Sequence, residues 1–175
     1  MQVSGSSGEA EKAMLLDYLR GQRRHVLGIL DGLDEEAMRT AVLPSGWTCL
    51  GVLQHLAVDG EQFWFQAVMG GDQGVISRLE SEGDSWQVDS RVSVAEVFER
   101  YRRACEQADL VIDATSLDAP PAWWPGHLFG DWRLEDLREV MLHMIVEVAC
   151  HAGHLDAARE LIDGRQWMVV DGDDA

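Results

Sequence analysis

At 175 residues the chain is long enough for one domain with a sizeable core, and short for two. Apolar residues make up 46% and charged residues 26%, the balance of an ordinary soluble globular protein. Fourteen Lys and Arg against 31 Asp and Glu leave a formal net charge of −17, which repels phosphate backbones and anionic lipid and excludes sequence-independent nucleic-acid binding and membrane docking. No run approaches the roughly twenty apolar residues of a membrane span. The N-terminal Met-Gln-Val-Ser-Gly-Ser-Ser-Gly has neither the basic region nor the apolar stretch of a secretory signal. Cys49, Cys105 and Cys150 stand singly with no CxxC, which argues against a disulfide framework or a thiolate zinc site. A reducing cytoplasm is the expected setting.

In chain order, residues 1–10 are small and polar and are expected to be disordered, with the domain itself over 11–165. A first helix is predicted from about Glu9 to Leu33. Met14, Leu15, Tyr18, Leu19, Val26, Leu27, Leu30 and Leu33 fall at helical spacing, with Arg20, Arg23 and Arg24 facing water. Pro44-Ser45-Gly46 breaks the chain before a second helix from about Thr48, a plausible N-cap, to Met69, where Gly70-Gly71 stops it. The span from Gly70 to Val92 is a long crossover with no confident element. Ser93-Val94-Ala95-Glu96 is a capping box, and the third helix should run from there to about Ala114. The segment Ala119–Trp132 holds three of the four prolines and three tryptophans, so it reads as a non-helical connection packed by aromatics. A fourth helix begins within Asp131–Leu137 and ends near Gly164. Residues 166–175 form an acidic tail, expected to fray. Four long helices with one long crossover, between the second and third, predict an all-α four-helix bundle.

The chemistry gathers on the fourth helix, in His143-Met-Ile-Val-Glu147-Val-Ala-Cys-His151-Ala-Gly-His154. Counting about 100° per residue from His143, Glu147 falls near ~40°, His151 near ~80° and His154 near ~20°, one sector about 80° wide. Apolar residues flank that stripe, so its polar groups are expected inside the bundle. An unpaired carboxylate there would cost several kcal/mol, on the order of what a divalent metal relieves by taking imidazole nitrogens and a carboxylate oxygen together. The Glu-x-x-x-His spacing places Glu147 and His151 one turn apart on one face. A third ligand should come from another helix, and the second offers His55 among apolar neighbours. His55, Glu147 and His151 thus form a candidate site of two nitrogens and one oxygen, with open positions as in a catalytic zinc. Asp59, one turn after His55, and His154 are candidates to orient the ligands by hydrogen bonds, and His154 to relay a proton.

Taken singly these signals are bland. His55 alone reads as a core histidine, and Glu147 with His151 as a surface pair. The combination, on a helix with no evident solvent face, favours the metal. His143 and His154 are alternatively core or rim residues, or direct ligands. His25 and His127 read as surface or loop residues and the tryptophans as packing, with Trp47 and Trp64 able to line a pocket mouth. The three cysteines read as buried small hydrophobes.

Two stretches resemble the DinB-like superfamily and, within it, the mycothiol-dependent maleylpyruvate isomerase-like branch. One is Pro44-Ser-Gly-Trp47-Thr-Cys-Leu-Gly-Val-Leu-Gln-His55-Leu56 with Glu61-Gln-Phe-Trp64-Phe65. The other is Leu142-His143-Met-Ile-Val-Glu147 with His151-Ala-Gly-His154-Leu-Asp156 and Arg159-Glu-Leu-Ile-Asp-Gly164. With the helix order, the likeness covers about Leu15 to Gly164. It implies an up-down-down-up bundle, often a homodimer, with a divalent metal, usually zinc and sometimes nickel. The ligands it implies are one His of the second helix, His55, and two residues four apart on the last, Glu147 and His151. It further implies a low-molecular-weight thiol, mycothiol or bacillithiol, activated on the metal for transfer or isomerisation of a small-molecule substrate. The isomerase proper carries an additional C-terminal domain, and this chain ends at Ala175, so maleylpyruvate isomerisation itself is not expected. Val148-Ala149-Cys150 replaces more polar residues of that branch. The expected function is a metal-dependent thiol transferase or isomerase-like enzyme acting on a small electrophile. The rivals are a metal-dependent hydrolase, which needs no thiol, and a non-catalytic metal- or ligand-binding stress-related bundle.

Overall fold

The computed structural model describes residues 4–81 and 83–167. Seven α-helical segments and one π-helical segment make up its regular structure, with no strand among the described residues. Helix α1 spans Ser4–Leu30 and starts earlier than the sequence predicts, taking in residues 4–10 that were expected to be disordered. Its buried face is Leu15, Leu16, Leu19, Val26, Ile29 and Leu30, whereas Met14 and Tyr18, expected inside, lie exposed. Arg23, expected to face water, is buried. The reason is a partner on the second helix: its guanidinium grips Glu61 at 2.7 and 2.6 Å, and Asp109 at 2.6 Å. Periodicity alone assigns an arginine to solvent, and only the tertiary partner reverses that.

A short helix α2 (Glu35–Arg39) follows, capped by the Asp34 carboxylate, which accepts from the Ala37 N–H at 2.8 Å. The second long helix opens as α3 (Cys49–His55), with Thr48 as its N-cap accepting from Gly51 N–H at 3.0 Å. From Leu56 to Met69 it continues with π winding, in which the Gly70 N–H reaches back five residues to the Phe65 carbonyl at 2.9 Å. Such long π stretches are uncommon, and π turns concentrate at functional sites. The sequence predicts this helix and its ends but not its winding.

In the crossover, α4 spans Gln73–Ser81, started by the Asp72 carboxylate accepting from Gly74 and Val75 N–H. Helix α5 (Val94–Ala114) begins at the expected capping box, with Ser93 and Glu96 satisfying one another's backbone. The aromatic connection contains only a four-residue turn of helix, α6 (Gly126–Phe129). Helix α7 (Leu137–Asp163) is capped by Asp136 and closed by Gly164, whose φ of 79° suits a residue without Cβ. No helix among the described residues is long and apolar enough to cross a membrane. The core is built from inward faces of α1, α3 with the π-helix, α5 and α7, among them Leu19, Leu53, Phe65, Tyr101, Met141 and Val148.

Three sets of cross-links fix how the long helices register. Arg138 pairs with Glu11 at 2.6 Å and His25 with Asp156 at 2.8 Å, tying α7 to α1 near both ends. Arg20 and Arg23 pair with Asp109 on α5, and Lys12 reaches the Thr115 carbonyl. Along the π-helix, Gly60 lies against Met144 and the Trp64 ring sits 4.6 Å from that of His143. His25, expected at the surface, is therefore half-buried, held by Asp156 and stacked on Trp167 at 4.9 Å. Beyond Trp167, the predicted acidic tail lies outside the described residues.

Candidate metal centre

His55 is the last residue of α3, and Glu147 and His151 lie one turn apart on α7. Antiparallel apposition of the two helices brings the three together. His151 Nε2 is 3.0 Å from Glu147 Oε1, and His55 Nε2 is 3.7 Å from the same oxygen. All three candidate ligand atoms fall within 4.8 Å of one another. Metal–ligand bonds of about 2.0–2.1 Å at tetrahedral angles separate donors by about 3.3–3.4 Å, so the observed spacings bracket what one ion requires.

Hydrogen bonds around the three residues bear on whether they could hold a metal. Asp59, one turn along, accepts from His55 Nδ1–H at 2.8 Å, and Ser85 Oγ donates to the same carboxylate oxygen. In the neutral ring, a carboxylate on Nδ1 fixes the tautomer that leaves the Nε2 lone pair facing Glu147 and His151. His151 Nδ1, by contrast, is buried without a hydrogen-bond partner, so the protein alone does not satisfy that ring. Burial disfavours charge on His55, but the Asp59 and Glu147 carboxylates outweigh it and hold its pKa up at about 9. Glu147 is held well below the usual carboxylate range by its hydrogen bond with His151 and by the neighbouring His55. These are the electrostatics of two imidazoles and two carboxylates converging on one point.

The surrounding wall is aromatic. Trp86 stacks on His55 with ring centroids 4.1 Å apart and tilts against His151 at 5.6 Å. Sequence reasoning missed Trp86 and Ser85, since they sit in the polar crossover where a lone tryptophan, Asp84-Ser85-Trp86, is the only signal. The crossover is seated by α3. The Gln54 amide donates to the carbonyls of Ser85 (2.9 Å) and Gln87 (3.2 Å) and accepts from Arg100 at 2.8 Å. Gly51 lets the loop backbone lie directly on the helix: a Cβ there would meet the Trp86 carbonyl oxygen at 2.5 Å. Toward the other end, His143 stands one turn before Glu147, half-buried between Trp64 and Trp132, and burial lowers its pKa. Trp64 also contacts Trp124 and Phe129, so the aromatic connection folds onto this end of the site.

The remaining candidates separate cleanly. His154 is exposed at the rim, its ring 5.5 Å from that of His151 and 6.0 Å from Trp47, with no hydrogen bond to the triad among the described residues. His127 is exposed on the aromatic connection. Of the cysteines, only Cys49 is fully buried, Cys105 is half-buried, and Cys150 is exposed, contrary to its expected burial, because its side of α7 faces solvent.

A family model described as mycothiol-S-transferase matches residues 14–164. No curated protein and no solved structure matches the chain. With most of its length matched, and with the two motif stretches meeting in one site, the chain belongs to the mycothiol-S-transferase family, a branch of the DinB-like superfamily.

Proposed function

We propose that the protein is a metal-dependent thiol S-transferase, or isomerase-like enzyme, in which His55, Glu147 and His151 hold one divalent ion, zinc first and nickel second. Its co-substrate is mycothiol or the related bacillithiol, and its second substrate a small electrophile. The observation that carries this reading is the convergence of one nitrogen from each of two imidazoles and one carboxylate oxygen within 4.8 Å, in a chain of the mycothiol-S-transferase family. A bound divalent ion supplies a lowered thiol pKa, which keeps the sulfur a thiolate nucleophile at neutral pH.

The chain's own residues do the rest. Asp59, braced by Ser85, keeps the His55 proton on Nδ1. Trp86 covers the His55 ring and excludes water from that side. His154, in contact with solvent and next to His151, relays the proton released from the thiol. The wall of Trp64, Trp132 and His143 beside Glu147 receives an apolar electrophile. Residues 11–165 make up the working domain, with the long helices in up-down-down-up order. The α1–α7 and α1–α5 cross-links and the antiparallel site support that order. A homodimer is supported by the exposed apolar side chains of Met14 and Tyr18 on α1 and Leu142 and Val146 on α7. Three free cysteines fit a reducing cytoplasm.

The test is elemental analysis together with an assay of the metal-loaded protein against a panel of electrophiles, with and without mycothiol or bacillithiol. About one metal per chain, lost in the double variant His55→Ala/His151→Ala, and conjugation that requires both metal and thiol are expected. Turnover without any thiol would replace this reading with hydrolysis. Full thermal stability and no metal after chelation would replace it with a non-catalytic bundle.

A further inference from the structure

Helix α5 supplies none of the three candidate ligands, yet one of its side chains is tied by hydrogen bonds to the surroundings of His55. Arg100 Nη1 donates to Gln54 Oε1 at 2.8 Å. Gln54 Nε2 in turn donates to the Ser85 carbonyl at 2.9 Å and the Gln87 carbonyl at 3.2 Å. The loop held in this way returns two side chains to one ligand. Ser85 Oγ donates to Asp59 Oδ2, the oxygen that accepts from His55 Nδ1–H at 2.8 Å. Trp86 stacks on the His55 ring with centroids 4.1 Å apart. A continuous path therefore runs from Arg100 through Gln54, the loop residue Ser85 and Asp59 to His55.

That path depends on which way the Gln54 amide points. The two ends of a carboxamide have nearly the same shape, but one donates and the other accepts. Gln54 is buried, so its polar atoms must find partners inside the protein. A guanidinium can only donate. Arg100 therefore selects the amide oxygen and leaves both N–H donors for the loop carbonyls. The charge on Arg100 makes this bond roughly twice as strong as one between neutral groups. With the amide reversed, its oxygen would face two carbonyl oxygens and push the loop away from α3. Ser85 and Trp86 would leave Asp59 and His55 with it.

We propose that Gln54 and Arg100 are positioning residues of the metal centre: Arg100 sets the direction of the Gln54 amide, and Gln54 holds Ser85 and Trp86 against Asp59 and His55. This rests on the reading of His55, Glu147 and His151 as ligands of a divalent ion. The test uses the full chain with cobalt(II) as the probe, its affinity measured by chelator competition and its d–d spectrum recorded. Gln54→Glu keeps the side-chain volume and the bond from Arg100 but loses both donors. It should bind cobalt about tenfold more weakly, the low end of the range for groups that orient a ligand. Arg100→Met and Arg100→Lys both keep an apolar stem, and only lysine can donate to the amide. The methionine variant should be weakened to a similar extent and the lysine variant should recover most of the loss, a pattern that packing alone would not produce. The double variant Gln54→Glu/Ser85→Ala should be no weaker than the weaker of its two single variants, because both act along one path. The second readout needs no metal. The His55 Nδ1 proton of the metal-free chain, followed by nitrogen-edited NMR, should be protected from exchange in wild type and Arg100→Lys and exposed in Gln54→Glu and Arg100→Met. Should Gln54→Glu not fold, the two Arg100 variants decide. Wild-type affinity in folded Gln54→Glu, equal losses in the two Arg100 variants, or additive losses in the double variant overturn the proposal. Wild-type protein that takes up no cobalt removes the metal reading instead, and the His55 proton then decides: equal protection in all variants overturns the positioning role.

Discussion

The pair Arg23–Glu61 is the sharpest test of how the second helix is held. Glu61 is fully buried, Arg23 is 5% exposed, and their two charge-assisted hydrogen bonds measure 2.7 and 2.6 Å. Burial opposes the arginine charge, but Glu61 outweighs it and pushes the guanidinium pKa up. Glu61→Leu strands that cation. Removing one partner of a buried pair costs about 3–5 kcal/mol, and because Arg23 keeps Asp109 at 2.6 Å the lower end applies, about 3 kcal/mol. For a protein of this length that is a fall in Tm of about 6–12 °C. In Arg23→Met/Glu61→Leu both buried charges go, and Asp109 keeps Arg20 at 2.7 Å, so the double variant should return to within about 1 kcal/mol of wild type. Urea unfolding followed by circular dichroism, with m-values compared, measures both. A single variant within about 1 kcal/mol of wild type, or a double variant worse than the single, would refute the argument that desolvation of the survivor sets the cost.

Other outcomes follow from the site. Gly51→Ala places a Cβ 2.5 Å from the Trp86 carbonyl, against the 3.4 Å of ordinary contact. Because alanine favours the helix by about 1 kcal/mol, the loop rather than α3 should yield. Melting should change little, while the near-ultraviolet signal of Trp86 shifts and metal affinity drops; an unchanged spectrum would mean that the loop does not rest on Gly51. Asp59→Asn removes the carboxylate on His55 Nδ1 and should weaken metal binding about 10–100-fold in a chelator competition, with the fold retained. The His55 pKa is raised in the folded protein, so the stability it contributes is fully present below its ordinary value near pH 6.5 and is lost as pH rises through about 9. Urea midpoints of the metal-free protein should fall across that window, and those of His55→Gln should not. Metal affinity should rise over the same window, because coordination needs the neutral ring. A flat wild-type profile would show that His55 is not charged in the metal-free state.

The helices were legible because their signals are local. Thr48, the Ser93–Glu96 box and Gly164 are caps that act within a few residues, and the polar stripe of α7 against His55 reads straight from helical spacing. What sequence could not supply is what depends on distant partners. Arg23 looks like a solvent residue until Glu61 is placed opposite. Trp86 and Ser85 reach the site only because Gly51 and Gln54 accept the crossover backbone. The burial assumed for Met14, Tyr18 and Cys150 failed for a related reason, since an amphipathic count fixes which residues share a face but not where that face stops. The five-residue helix α2 and the four-residue turn α6 lie below what periodicity resolves.

The wide winding from Leu56 to Met69 makes the length of this helix, and not only its side chains, a structural constraint. Dropping one residue between Leu56 and Gly60 with the winding kept would swing everything downstream by roughly a quarter turn. Glu61 would leave Arg23 and Trp64 would leave His143, although no amino acid at those positions had been touched. The spacing between His55 and Trp64 is thus a quantity in its own right, one that single-residue deletions would expose and substitution scans would never see.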